Sequence, residues 1–121
     1  MASETLHESA EHLKPETIDR HRAIVSLMEE LEAVDWYDQR VDATQDEALR
    51  AILAHNRDEE KEHAVMTLEW LRRHDAALDR QLRTYLFADK PVLEVEAAAD
   101  EAGQAAAGTA GDGSLGIGSL K

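Results

Sequence analysis

Leu49-Arg50-Ala51-Ile52-Leu53-Ala54-His55-Asn56-Arg57-Asp58-Glu59-Glu60-Lys61-Glu62-His63-Ala64-Val65-Met66-Thr67-Leu68-Glu69-Trp70-Leu71 has no glycine and no proline, and its periodicity decides the fold. At about 100° per residue, with Ile52 at zero, Leu49, Ile52, Leu53, Met66, Trp70 and Leu71 fall in one stripe from about −40° to +100°. The segment therefore reads as an amphipathic helix. Two groups interrupt the stripe: Glu60 at about 80° and His63 at about 20°. Asn56 and Thr67 flank them one turn away on either side. A carboxylate among apolar neighbours needs a cation or a proton. The i, i+3 spacing of Glu60 and His63 points both side chains the same way. That is the Glu-x-x-His ligand pair of carboxylate-bridged di-iron bundles.

Outward from this helix, glycine and proline divide the chain. The prolines are Pro15 and Pro91, and all six glycines lie at or beyond Gly103. The stretch between the prolines, rich in Ala, Leu, Glu, Arg and Gln, favours helix. Pro15 suits a first helical turn, and Glu16 suits the positive end of the helix dipole. Helix one is expected from Pro15 to about Arg40, with Val41 to Thr44 as the connection. Thr44 is the expected N-cap, with Glu47 three residues on. Helix two follows from about Gln45 to Arg73. Asp75 caps a shorter third helix ending near Phe87 or Ala88. Ala88 to Pro91 is a turn, and Val92 to Ala99 form a short helical piece. Residues 1–14 are an N-terminal segment to which the sequence assigns no element. Residues 15–99 are the helical domain and residues 100–113 a flexible Ala/Gly-rich linker. Residues 114–121 bring back Leu115, Ile117 and Leu120 at the end of that tether.

Helix one supplies a matching ligand. Its stripe is Ile24, Leu27, Met28, Leu31 and Val34, and Glu30 borders it. A di-iron bundle takes a Glu from each of two helices and a Glu-x-x-His from each of two others. This chain offers one of each. An isologous dimer doubles the set to four carboxylates and two imidazoles. The fold class is therefore all-α: an antiparallel two-helix hairpin plus a short third helix, its ferritin-like four-helix site completed by dimerisation. Two helices of about 40 Å with one short extra helix cannot cover their own apolar surface, which also calls for partner chains. A lone Glu-x-x-His is more often a solvated face, and Glu4-x-x-His7 is such a case. The position of Glu60 and His63 on the stripe, opposite Glu30, raises the odds. Glu29 and Glu32, i, i+3 neighbours beside Trp36, read on pattern alone as a solvated acidic face. The same holds for His55, Glu59 and Glu62. Trp36, Tyr37 and His21 read as packing groups or supports behind the ligands.

The net charge of −13, with hydrophobic residues at 43% and charged residues at 32%, bounds the partners. It argues against nucleic acid, which needs clustered Lys and Arg, and against an anionic membrane surface. There is no cysteine, which excludes disulfides and iron–sulfur clusters. No apolar run reaches transmembrane length. Met1 to Glu11 lacks a basic start and an apolar stretch, so no signal peptide is expected and the cytoplasm is the default location. Gly111-Asp112-Gly113-Ser114-Leu115-Gly116 matches G-x-G-x-x-G, but no strand precedes it and no helix follows.

Three stretches resemble the encapsulated ferritins, the cargo of encapsulin nanocompartments. They are Arg20 to Ser26 running on through Met28 to Tyr37, then Ala54 to His63, and Thr84-Tyr85-Leu86-Phe87. The tail Gly113 to Leu120 resembles the peptide that docks such cargo on the shell interior. The resemblance covers roughly residues 15–95 plus the tail. It implies hairpins paired into dimers and joined as an open ring of five dimers, a decamer. It implies a ferroxidase centre at the dimer interface, with Glu30, Glu60 and His63 at the positions of the iron ligands. Glu29 and Glu32 match the family's iron-gathering site, with Trp36 beside the path. The expected reaction is oxidation of Fe²⁺ by dioxygen at a di-iron centre, inside an encapsulin shell in the cytoplasm. Leu115, Ile117 and Leu120 would fill apolar pockets on that shell. Two alternatives stand beside this: a metal-free helical adaptor, and another di-metal oxidase or peroxidase.

Overall fold

The computed structural model describes residues 5–110, with side chains to residue 104. Every regular element in that range is helical. A 3-10 turn at Ala10–His12 precedes α1 (Pro15–Ala43), α2 (Glu47–Arg73), α3 (Ala76–Tyr85) and α4 (Val92–Ala110). None of these helices is long and apolar enough to cross a membrane.

The chain divides into two compact units, with the boundary between Leu71 and Arg72. The first holds α1 and most of α2. Pro15 opens α1 at its first position, and the carbonyl of Lys14 accepts from the amides of Thr17 and Ile18. α1 runs to Ala43 rather than Arg40, because Arg50 ties down its end. Arg50 Nε donates to the Val41 carbonyl at 3.1 Å, and its guanidinium also donates to the carbonyl of Thr44. These bonds satisfy acceptors that a helix C-terminus leaves open. Asp46, not Thr44, caps α2: its carboxylate accepts from the Leu49 amide at 2.9 Å. Thr44 instead accepts from the Asp46 amide at 3.2 Å, which holds the connection. Further along, Arg57 Nη1 donates to Asp38 Oδ1 at 3.1 Å. The pairs Val41–Arg50 and Asp38–Arg57 descend along α1 as they climb α2, so the hairpin is antiparallel.

This hairpin lacks a sufficient core of its own. Among the described residues only Ala64 and Leu71 are buried hydrophobics. Ile24 and Leu31 on α1, and Leu49, Ile52, Val65 and Met66 on α2, are exposed. Each forgoes part of the about 1.5–3 kcal/mol that full burial of such a side chain provides.

In the second unit the Asp75 carboxylate caps α3, accepting from the Leu78 amide at 3.0 Å, as the sequence predicts. Asp79 bonds Arg72 and also accepts from Arg83 Nε at 2.9 Å. The hydrogen bond from Arg72, reinforced by Arg83, holds the Asp79 carboxyl below its ordinary range. α3 stops at Tyr85, earlier than expected, because Leu86 already leaves the helical region for an extended backbone with φ −74° and ψ 139°, and Phe87 follows it in a left-handed one with φ 63°. α4 corrects the expected linker in the other direction. The helix does not fade at Ala99 but continues to Ala110. Alanine dominates this stretch and outweighs its two glycines. A Cβ added at Gly103 would meet nothing within 4 Å. Gly103→Ala is therefore expected to stabilise α4 by about 1 kcal/mol, read as a gain in helical circular dichroism and in melting temperature.

Candidate metal centre

α2 delivers Glu60 and His63 to one face, and the structure brings them together. His63 Nδ1 lies 3.6 Å from Glu60 Oε1, with the side chains 49% and 29% exposed. Neither is sunk in the hairpin; both share the stripe that the helical period predicts, on which Ile52 and Met66 are also exposed. The His63 carbonyl accepts from Thr67 Oγ1 at 3.0 Å, so Thr67 braces the helix there rather than joining the ligands.

Glu30 on α1 is the unusual group. Its Oε1 is buried and has no hydrogen-bond partner. Buried polar atoms are nearly always partnered, and an unpartnered carboxylate oxygen carries a desolvation cost. The antiparallel register places Glu30 close in height to the Glu60–His63 pair. Counting about 1.5 Å per residue back from Asp38 and forward from Arg57, Glu30 stands level with the neighbourhood of Ala64. Ala64 is buried and next to His63 in the chain. Its methyl group is small enough for two helices to approach closely at this height.

Within one chain the set stays incomplete. Among the described residues no three His, Asp or Glu side chains converge as a metal site. Glu29 is exposed and Glu32 half-buried, on a face of α1 turned from Glu30. Trp36 beside them is also exposed. Tyr37 is half-buried, with the Arg40 guanidinium 5.3 Å from its ring centre. That cation–π contact gives Tyr37 a packing role on α1. His55 pairs with Glu59 at 3.3 Å on the open flank of α2, away from the stripe. Leu115, Ile117 and Leu120 lie outside the described residues. The sequence reading missed the Asp38–Arg57 pair, which fixes the height of Glu30. An Arg on one helix and an Asp on the next carry no periodic signal, so only the closed hairpin reveals them.

The donor set suits a hard, multivalent cation: oxygen donors from carboxylates and one imidazole per chain. The EncFtn-like family model matches residues 5–89. The chain is 68% identical over 103 residues to the encapsulated ferritin-like protein of Rhodospirillum rubrum, covering 85% of this chain and 73% of that protein. It is 41% identical over 51 residues to the encapsulin nanocompartment cargo protein EncC of Myxococcus xanthus, 42% of this chain and 39% of that one. Among solved structures, protein ne0167 from Nitrosomonas europaea superposes with a TM-score of 0.70 at 62% identity, covering 72% of this chain and 96% of that one.

Proposed function

Because the chain belongs to the EncFtn-like family, we propose that it is a ferroxidase whose metal centre forms where two copies meet. The observation that carries the reading is the orphaned Oε1 of Glu30. A carboxylate oxygen that is buried and unpartnered is what a cation site looks like before the cation arrives. Two copies of Glu30, Glu60 and His63 supply the four carboxylates and two imidazoles of a di-iron bundle. A pair of Fe²⁺ ions bound there as substrate supplies two electrons for the reduction of dioxygen.

The protein's part is electrostatic and positional. Glu30 and Glu60 present anionic oxygen, which favours the ferric product over the ferrous substrate. His63 holds its imidazole nitrogen toward the same space from one turn further along α2. Glu29 and Glu32 gather incoming iron on the outer face of α1, with Trp36 beside the path. Tyr37 steadies the α1 wall. An open ring of dimers encloses no store of its own, so the product mineralises inside an encapsulin shell in the cytoplasm. Residues 114–121 dock the chain there through Leu115, Ile117 and Leu120.

Glu60→Ala and His63→Ala each remove a ligand from both halves of the centre. Dioxygen consumption on mixing with Fe²⁺ is expected to fall to the uncatalysed rate in both. Unchanged consumption sinks the enzyme reading and favours the metal-free adaptor. The tail is tested separately. Deleting residues 114–121 is expected to leave iron oxidation intact. Co-purification with the shell should drop by about 10²-fold or more, since many tethered copies act together. Undiminished loading refutes the docking role.

A further inference from the structure

α4 (Val92–Ala110) is a helix that buries almost nothing. Side chains are described from residue 92 to residue 104, and among these only Val95 is half-buried. All the others are exposed. The base of the helix is held: α4 touches α3, and the Pro91 carbonyl accepts from the amides of Glu94 and Val95 at 2.9 and 3.1 Å. Past Val95 every described side chain is exposed, so those turns contribute little to the stability of the fold.

What keeps them helical is the chain itself. Alanine, the best helix former, fills eight of the 19 positions. Glu94 in the first turn suits the positive end of the helix dipole. Isolated helices are marginal below about 12–15 residues, and α4 is longer than that. An exposed, alanine-rich and acidic helix has the character of a semi-rigid spacer, which rises about 1.5 Å per residue. α4 is thus about 28 Å long. A flexible chain of equal length would average about 24 Å. The reach is similar, but the spread is not: a coil returns its end toward its own base, and a helix does not. Only residues 111–113 separate α4 from residues 114–121.

We propose that α4 is a stiff spacer that sets the distance between the rest of the chain and the encapsulin wall. Linked binding is strongest when the linker matches the span. A stiff linker narrows that match to one favoured stand-off, and Fe²⁺ and its product pass through the gap that it keeps open. The inference rests on the proposed docking of residues 114–121.

The chain has no cysteine, so Glu94→Cys and Ala110→Cys together provide the two attachment points for spin labels. Labelled chains are diluted in unlabelled ones, and double electron–electron resonance reads the distance within one chain. A single narrow distance of about 24 Å is expected between the two backbone positions. Ala98→Pro, at an exposed position, breaks the helix at a cost of about 3 kcal/mol and should broaden that distribution. The second arm uses the chain loaded in its shell. Seven alanine-rich residues inserted after Ala99 add two helical turns and keep the direction of the arm. Electron cryo-microscopy should then show the gap between shell wall and cargo widened by about 10 Å. Fe²⁺ oxidation should be unchanged in every variant. A broad distribution in the unmodified helix overturns the proposal, as does a narrow one that survives Ala98→Pro. An unmoved gap with loading retained overturns the spacer alone and leaves docking intact. An unmodified chain that does not load defeats the docking reading, and the spacer role falls with it.

Discussion

Glu30→Leu will make the metal-free protein more stable and leave it unable to oxidise iron. The two effects have one cause. In the folded chain Glu30 Oε1 is buried without a partner. An unsatisfied buried polar group costs about 1–3 kcal/mol. Leucine fills similar space with no charge to desolvate, so that cost disappears. For a domain of this size, about 1 kcal/mol moves the melting temperature by about 4–8 °C. Scanning calorimetry of the chelated protein should therefore show a rise of several degrees. Glu30→Gln is the control: it retains a polar group in the same surroundings and should gain much less. Both variants lose an anionic ligand from each half of the centre. Supporting residues behind a metal ligand already cost about 10–100-fold when changed, so the loss here should be at least about 100-fold. Stopped-flow oxidation of Fe²⁺ measures it. A lower melting temperature for Glu30→Leu would mean that the carboxylate is satisfied without metal, and the centre would lose its main support.

The same residue marks how far the sequence could be read. Glu60 and His63 were visible because helical periodicity is strict: a charged pair at i, i+3 on an apolar stripe needs no tertiary knowledge. Glu30 was visible as a border position, but its buried and unpartnered state depends on how α1 meets α2. That is set by Arg57 on Asp38 and by Arg50 on the end of α1, contacts with no periodic signature. Local capping was half legible. Asp75 was read correctly, whereas Thr44 and Asp46 are two equally good caps two residues apart. Which of them serves depends on where α1 stops. Phe87 was read as the end of a helix, because φ is a backbone property that the side chain does not announce. The glycines after residue 100 suggested a linker, yet α4 passes through Gly103, since a single glycine costs only about 1 kcal/mol among alanines.

Iron will also tighten the pairing of chains, and by a large factor. One chain carries one Glu30, one Glu60 and one His63, and no three such groups converge among the described residues. Two chains complete the set. A ligand that binds the pair but not the single chain stabilises the pair by RT ln(1 + [L]/Kd). With free Fe²⁺ at 1,000 times its dissociation constant, that is about 4 kcal/mol, or about 1,000-fold in the dimerisation constant. Charge works in the same direction. Each chain carries −13, so apposed copies repel until cations are taken up between them. Screening alone is a rival cause, and magnesium at equal concentration separates the two. Mg²⁺ carries the same charge but has little use for imidazole. Sedimentation equilibrium under anaerobic conditions should show strong tightening with Fe²⁺ and weak tightening with Mg²⁺. In His63→Ala the advantage of iron over magnesium should disappear while the magnesium effect persists. Equal responses to both ions in the unmodified chain would leave only screening. In that case the carboxylates and imidazoles of two chains do not share a metal.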